Sequence, residues 1–329
     1  MGFSKISGYS VEQIIGVLAP KLESNEMLLG KDAALFFERT GIRNRWVEDG
    51  GKTIFDYFLK AASCSLEKLT APSQEIAVLI CITQTPDIPF PNLSNRLQHA
   101  LGLSNSTICL DINLGCSGYV YGLHLCMKLL SSTAGKKALL LTGDLSTAFI
   151  PTSNTNLRPL FSDAVAATIV SQCEESPSSF FNLLSYGAGA NAIHAVKGLD
   201  QQFVMEMQGL DVFNFSFQYV AKSITNLFGQ YSELGNKDDI DFFVFHQANK
   251  LIIESIKKQL KIVDDKLLYS IGDYGNTAVA SIPITLISQA KNISGKSVVF
   301  SGFGVGFSVG TCALRLPNNL RLELLHYDD

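Results

Sequence analysis

The chain contains little charge, a single tryptophan and no paired cysteine motif. Asp, Glu, Lys and Arg together make up 17% of its 329 residues, whereas hydrophobic residues make up 47%. So few charges among so many apolar residues exclude a disordered chain or a long coiled coil and predict a large buried core. The formal net charge of −4 provides no general attraction to nucleic acid or to an acidic membrane surface, so we expect neither as a partner.

None of the seven cysteines forms a Cys-x-x-Cys pair, which argues against a structural zinc site, and we expect no metal centre. The start of the chain has neither the apolar core nor the small-residue cleavage site of a secretory signal. We therefore expect a cytoplasmic protein whose cysteines are free thiols. The uncharged segment 297–314 contains four glycines and alternates in character, which predicts two buried strands around a turn instead of a membrane span.

Apolar runs of strand length alternate with segments of helical spacing along most of the chain. The predicted strands are 76–83, 106–111, 138–142, 242–245, 298–303 and 308–314, and the predicted helices are 55–69, 93–101, 114–130, 212–227, 251–260 and 282–290. Continuous apolar strands are typical of parallel sheets covered by crossover helices, which indicates an α/β fold. The similar order in the two halves predicts an internal duplication, with an N-terminal half at 1–172 and a C-terminal half at 173–329.

Cys116 lies in a turn between a predicted strand and a predicted helix, in the segment Gly-Cys-Ser-Gly at 115–118. The two glycines allow a tight turn and the close approach of a ligand. A thiol at this place would feel the positive end of the helix dipole, which predicts a lowered pKa and a sulfur directed out of the fold. The local sequence is equally consistent with a buried structural cysteine, since free cysteine is among the most buried residue types.

Two further polar residues lie where α/β sheets commonly bind ligands. His246 comes directly after the apolar strand 242–245, at its carboxyl end, and Asn276 lies between a turn and a helix. Each also has an ordinary structural interpretation, as a satisfied histidine at a strand end and as an N-capping asparagine. The glycines of the segment 303–310 would let a backbone N–H group approach a reacting carbonyl, or would simply form a turn.

Six short motifs follow one another in an order that resembles β-ketoacyl-acyl-carrier-protein synthase III, a condensing-enzyme family of the thiolase superfamily. They are Glu-Arg-Thr-Gly-Ile-Arg-Asn-Arg at 38–45, Gly-Cys-Ser-Gly at 115–118, Leu-Phe-Ser-Asp at 160–163, His-Gln-Ala-Asn at 246–249, Tyr-Gly-Asn-Thr at 274–277 and Gly-Phe-Gly-Val-Gly at 302–306. No single motif is specific, but their combination is. The resemblance implies a duplicated, thiolase-like α/β fold with five layers, α/β/α/β/α, and a homodimer.

The resemblance also implies roles for individual residues. Cys116 in the N-terminal half would be the nucleophile, and His246 and Asn276 in the C-terminal half would complete a catalytic triad. The backbone N–H groups of Cys116 and Val305 would form the oxyanion hole. The residues expected to bind the substrate are Arg39, Phe90, Gly209, Phe213 and Asn249, with Phe90 reaching across the dimer into the acyl pocket of the partner subunit.

The implied reaction is acyl transfer followed by condensation. An acyl-Cys116 thioester would form first and would then react with a malonyl thioester in a decarboxylative Claisen condensation. Coenzyme A or acyl-carrier-protein phosphopantetheine thioesters would be the substrates, with acyl carrier protein as a partner and no bound cofactor. Two alternatives stay open: transfer of the acyl group to an oxygen or nitrogen nucleophile without decarboxylation, and a non-catalytic subunit that pairs with a paralogous condensing enzyme.

Three positions depart from the family pattern near the coenzyme A adenine and the carrier protein. The tryptophan that stacks on adenine in the family is Leu35 here. The arginine on the other side of the adenine is Thr155, with Arg158 close by. The basic carrier-docking residue is Leu251, next to Lys250. Because a lost aromatic stack removes roughly 1–3 kcal/mol of binding, we expect coenzyme A to be a poor donor and secondary metabolism to be an alternative to the initiation of fatty-acid synthesis.

Overall fold

Two six-stranded sheets organise the protein, whose computed structural model describes residues 2–69, 75–133, 135–198, 203–289 and 293–328. The strands are β1 (Phe3–Ile6), β2 (Tyr9–Leu18), β3 (Lys21–Ser24), β4 (Asn44–Val47), β5 (Ile76–Ile82), β6 (Ile108–Ile112), β7 (Lys137–Asp144), β8 (Ala164–Gln172), β9 (Ser179–Ser185), β10 (Ile193–Lys197), β11 (Phe203–Met207), β12 (Phe242–Phe245), β13 (Leu267–Leu268), β14 (Ser297–Gly304), β15 (Ser308–Arg315) and β16 (Arg321–His326). The helices are α1 (Asn25–Leu29), α2 (Ala33–Thr40), α3 (Ile54–Glu67), α4 (Leu93–Ala100), α5 (Gly118–Leu130), α6 (Gly209–Gln230), α7 (Lys250–Leu260), α8 (Ile271–Tyr274) and α9 (Ser281–Ser288).

The two large sheets have the same strand order. The first runs β6-β5-β7-β8-β2-β16 and the second runs β13-β12-β14-β15-β9-β1. In each sheet the first three strands are parallel to one another. The fourth strand is antiparallel to the third, and the fifth is antiparallel to the fourth. This matching topology agrees with the predicted internal duplication.

The first and last strands of the chain each pair with the sheet of the opposite half. Strand β1, at the start of the chain, pairs with β9 of the second sheet, and β16, near its end, pairs with β2 of the first sheet. The division of the chain at residue 172 therefore stays a prediction, although β8 and β9 do flank the polar segment in which it falls.

Three hydrophobic clusters arrange the helices and sheets in five layers. Helices α3 and α4 pack on the outer face of the first sheet, and α6 and α7 pack on the outer face of the second. Helices α5 and α9 lie between the two sheets, where their apolar side chains contact strands of both. The α/β/α/β/α arrangement expected from the resemblance is confirmed.

Local sequence explains why α3 and α5 form as they do. Thr53 and Asp56 form a capping box at the start of α3, and residues at helical spacing, Tyr57, Phe58 and Ala61, turn inward. Helix α5 is buried on almost every side, as a helix in a central layer must be. It begins at Gly118 and not at the predicted position 114, because residues 113–117 form the turn that carries Cys116.

The predicted hairpin at 297–314 is confirmed as the antiparallel pair β14–β15, which is buried along most of its length. The first-half strands β2 and β8 were not predicted, although both are largely buried. Across the part of the chain that the structure describes, no helix is long and apolar enough to span a membrane.

Gly302 of β14 packs closely against the backbone at the nucleophile, where the two halves of the protein meet. A Cβ atom at this residue would lie 2.6 Å from the carbonyl oxygen of Cys116 and 2.8 Å from Cα of Ser117. Both contacts involve backbone, which cannot turn aside as a flexible side chain can. The glycine is therefore required for the packing of β14 against the start of α5.

We predict that Gly302→Ala lowers the free energy of unfolding by about 1–3 kcal/mol, because the added methyl group overpacks a rigid contact. Gly229→Ala in α6 is the matched control, since a Cβ there meets no atom within 4 Å. That control should stabilise the protein by about 0.5–1 kcal/mol through helix propensity. Urea unfolding followed by circular dichroism measures both, and equal stability of the two variants would contradict the prediction.

Candidate active site

The predicted triad lies at matching ends of the two parallel strand sets. Cys116 follows β6 and precedes α5, and Asn276 occupies the corresponding place in the second half, between β13 and α9. His246 follows β12 directly. All three line one cavity of about 90 Å³ between the halves. The arrangement follows from topology, since the carboxyl ends of parallel strands meet at one edge of a sheet.

Cys116 is held against two backbone donors. Its Sγ accepts hydrogen bonds from its own N–H and from the N–H of Val305, which lies in the turn between β14 and β15. Gly304 makes this approach possible, since it has a φ of 152° and a Cβ there would lie 3.1 Å from Sγ. Two N–H groups converging on one atom form the geometry of an oxyanion hole.

The expected lowering of the Cys116 pKa is wrong for this structure. Cys116 is only 8% exposed, so its thiol is not directed out of the fold. Burial, followed by the nearby carboxylate of Asp144, raises its pKa to about 12, and the two N–H groups oppose this only in part. The position at a helix start was read correctly from the sequence, but the desolvation that accompanies it could not be.

His246 is fixed by contacts from three directions. Its backbone N–H donates to the carbonyl of Ser301 at 2.9 Å, and its ring meets Phe303 edge to face at 5.5 Å. Nδ1 lies 2.7 Å from Oγ of Ser281 in α9. Burial lowers the pKa of His246 to about 3, with a smaller opposing effect from the backbone of Ala278. The ring is therefore neutral at physiological pH and can act as a hydrogen-bond donor.

Asn276 is held by its backbone and by its carbonyl oxygen. Its N–H donates to Leu160 O and its C=O accepts from Ser162 N, both at 2.9 Å. Oδ1 accepts from the N–H of Ala278 at 2.9 Å, so the side chain stabilises the local turn. It is not the helix N-cap of the structural interpretation, because Thr277 occupies that position before the short 3₁₀ helix Ala278–Ala280. With Oδ1 used in this way, the amide N–H groups are the ones left to bind a ligand.

Asp144 is a cavity residue that the sequence analysis missed. It ends β7, and its Oδ1 accepts hydrogen bonds from the N–H of Gln84 at 2.6 Å and from Oγ1 of Thr83 at 3.0 Å. Burial raises the pKa of this carboxyl group to about 7. Its position at the carboxyl end of an apolar strand is the signal that identified His246, and the same reasoning could have found it.

The predicted binding residues fall into two groups. Gly209 and Asn249 line the cavity together with the triad and Val305. Arg39 lies exposed on α2, Phe90 is 80% exposed in the loop between β5 and α4, and Phe213 is half-buried on α6. These last three are not among the residues that line the cavity. Their binding roles, like the catalytic roles of the triad, stay predictions at this point.

Two of the residues that depart from the family pattern are exposed, and the arginine near the third is already hydrogen-bonded. Leu35 on α2 and Leu251 on α7 are 50% and 59% exposed. Arg158, close to Thr155, is engaged in the protein itself, since its Nη1 donates to the carbonyl oxygens of Thr147 at 3.0 Å and Ile150 at 3.4 Å. Within the described ranges, no three His, Cys, Asp or Glu residues are grouped so that they could hold a metal ion.

Comparisons with known proteins identify the class of this fold and site as a thiolase-like condensing enzyme. Residues 110–197 match the family described as 3-oxoacyl-[acyl-carrier-protein] synthase III, and residues 233–316 match its C-terminal region. The solved 3-oxoacyl-(acyl-carrier protein) synthase from Burkholderia xenovorans LB400 superposes with a TM-score of 0.92 at 26% identity, over 98% of each chain.

Two curated relatives show the same similarity at higher identity. The β-ketoacyl-[acyl-carrier-protein] synthase III of Streptococcus agalactiae is 30% identical over 96% of this chain and all of its own length. That of Geobacillus kaustophilus is 30% identical over 84% of this chain and 88% of its own. The protein belongs to the 3-oxoacyl-[acyl-carrier-protein] synthase III family.

We predict that Asp144→Asn accelerates alkylation of Cys116. At pH 8.5 the Asp144 carboxylate is ionised and raises the thiol pKa, so removing its charge lowers that pKa and raises the thiolate fraction. A fall of one pKa unit would increase the alkylation rate about tenfold. Iodoacetamide labelling followed by peptide mass spectrometry measures the rate, with exposed Cys173 in the same chain as the internal control. Unchanged labelling of Cys116 would contradict the prediction.

Proposed function

We propose that the protein forms an acyl thioester on Cys116 and condenses it with a malonyl thioester to give a β-ketoacyl thioester and carbon dioxide. The observation that carries this proposal is the convergence of a thiol, a neutral imidazole, an amide and two backbone donors on one buried cavity. Membership of a condensing-enzyme family supports the same reaction.

In the first half-reaction, Sγ of Cys116 attacks the carbonyl carbon of an acyl thioester. The thiol proton leaves as the new S–C bond forms, and the pantetheine sulfur departs and takes up a proton. The N–H groups of Cys116 and Val305, which now bind Sγ, would bind the carbonyl oxygen as its negative charge develops. A thiol with a pKa near 12 must lose its proton during attack, because little thiolate exists beforehand.

In the second half-reaction, the malonyl carboxylate leaves as carbon dioxide and its electron pair forms an enolate. The neutral ring of His246 and the amide of Asn276 would donate hydrogen bonds to the enolate oxygen. The enolate carbon then attacks the acyl carbon, and Cys116 is released as a thiolate that takes up a proton. This assignment suits the low pKa of His246, because a neutral ring offers an N–H donor at neutral pH.

The donor proposed for this reaction is an acyl-carrier-protein thioester, with coenzyme A thioesters as weaker donors. Exposed Leu35 offers no aromatic stack to the adenine of coenzyme A. Arg158 is engaged with backbone carbonyls. Exposed Lys250, at the start of α7, supports docking of an acidic carrier protein. These differences favour a specialised role in secondary metabolism of the cytoplasm over the initiation of fatty-acid synthesis.

A homodimer is the proposed assembly. Strand β6 is an edge strand of the first sheet and exposes Ile108 and Leu110, which are 36% and 38% accessible. An apolar edge of this kind is a template for pairing with a second copy. The loop that carries Phe90 is anchored by a double hydrogen bond between Arg96 and Asp87, at 2.8 Å each. An exposed phenylalanine on an anchored loop is suited to enter the acyl pocket of the partner subunit.

We predict that only acyl-carrier-protein thioesters give strong acyl adducts on Cys116 when the protein is incubated with a panel of acyl thioesters. Intact-protein mass spectrometry measures the adduct, with Cys116→Ala as the negative control and Cys173→Ala as the matched cysteine control. Adducts on Cys116→Ala, or none on the wild type, would contradict the proposed nucleophile. Strong labelling from coenzyme A thioesters would contradict the proposed donor.

We predict that Asn276→Ala keeps acylation but slows condensation by about 10²–10³, the usual effect of losing one donor to a developing oxyanion. Mass spectrometry of the product distinguishes condensation, which adds two carbons and releases carbon dioxide, from simple ester or amide formation. Equal loss of both half-reactions would contradict the assignment of Asn276 to the enolate step.

We predict that Leu110→Lys shifts the protein from dimer to monomer, because a charge on the apolar edge opposes pairing. Leu22→Lys is the control, since Leu22 is also exposed but lies on the separate strand β3. Analytical ultracentrifugation measures the dissociation constant of each variant. A dimer of unchanged affinity in Leu110→Lys would exclude β6 as the interface.

A further inference from the structure

We propose that Ser117 and Ser308 are a positioning pair that sets the separation of the two backbone donors around Cys116. This inference rests on the proposed function in so far as those donors form the oxyanion hole. The two serines come from different halves of the protein, 191 residues apart in sequence, and their Oγ atoms lie 2.6 Å apart. Both side chains are buried.

The direction of the hydrogen bonds follows from the number of protons. Oγ of Ser308 donates to the carbonyl oxygen of Val305 at 3.1 Å. A serine hydroxyl has a single proton, so the bond between the two serines uses the proton of Ser117. A directed chain therefore runs from Ser117, adjacent to the nucleophile, through Ser308 to the carbonyl of Val305.

The turn that carries Val305 needs such a side-chain bond. Three of its residues have positive φ values: Gly304 at 152°, Gly306 at 71° and Phe307 at 47°. Phe307 adopts this conformation without being glycine, which costs conformational energy. The bond from Ser308 to Val305 spans the turn, and the bond to Ser117 ties it to the peptide next to Cys116.

The hydrogen bond between the two serines affects the reaction because it connects the segments that carry the two N–H donors. One donor of the pair belongs to the turn before α5, and the other belongs to the turn after β14. The packing of Gly302 fixes the approach of the two halves, but Val305 lies three residues further along, in the turn itself. The serine pair connects that turn to the peptide next to Cys116 and limits the movement of one donor relative to the other. Preorganised donors stabilise a developing charge because they need no reorganisation during the reaction. Ser117 and Ser308 act through Cys116 and Val305, so they are positioning residues.

The test is Ser308→Ala, which removes the central hydroxyl of the hydrogen bonds that run from Ser117 to the carbonyl of Val305. We expect acylation of Cys116 at saturating donor to slow by about 10- to 100-fold, less than the loss of a donor itself, while KM for the donor stays unchanged. Ser308→Thr, which restores a hydroxyl, should recover most of the rate. Ser223→Ala is the matched control, because this buried serine also bonds a β15 hydroxyl, Oγ1 of Thr311 at 2.8 Å, away from the cavity.

A second readout does not depend on turnover. The Val305 N–H lowers the pKa of Cys116, so its displacement in Ser308→Ala should raise that pKa further and slow alkylation by iodoacetamide. Ser117→Ala should have a similar effect, and the double variant should lose little more than either single one, because both remove the same connection.

Several results would overturn the proposal. These are wild-type alkylation in both single variants, fully additive losses in the double variant, or an equal loss in Ser223→Ala. If no thioester acylates the wild type, the proposed function fails, and the alkylation rates still decide whether the serine pair positions Val305.

Discussion

The contact between Gly302 and the peptide of Cys116 is the constraint on which the site depends. It brings β14 of the second half against the turn that begins α5 in the first, closer than any side chain would allow. The backbone donors around the nucleophile depend on that approach. The Val305 N–H reaches Sγ only because the strand before it lies at the nucleophile, and the Ser117–Ser308 hydrogen bond spans the same junction.

Burial has a stronger effect than the helix terminus on the electrostatics of this site. Cys116, His246 and Asp144 are all enclosed, and burial shifts each pKa toward the neutral form. The resting site therefore holds a thiol and a neutral imidazole, with a carboxyl group that titrates near pH 7. Such a site is not a preformed ion pair. The charge that develops during the reaction must therefore be stabilised by directed N–H groups. For this reason the separation of those N–H groups is important.

Local patterns in the sequence predicted the features of the fold that depend on nearby residues. The apolar runs at 76–83 and 242–245 predicted strands β5 and β12, and the end of the second run located His246. Strands β2 and β8 were missed although they are mostly buried, and the exchange of β1 and β16 between sheets depends on pairings distant in sequence. Ser308 could not be found, because its partner Ser117 lies in the other half and no local pattern connects them.

The duplicated halves differ at their edges, and that difference bears on assembly. Strand β13, the counterpart of β6, has only two residues, whereas β6 has five. Among the described edge strands of the two large sheets, β6 alone exposes large apolar side chains, since the leucines of β16 are partly covered by packing against the cores. Duplication would by itself produce two equivalent edges and two ways to associate. The short β13 leaves one long apolar edge, β6, and pairing through a single edge is consistent with the closed, two-fold dimer proposed above and not with an open chain of subunits.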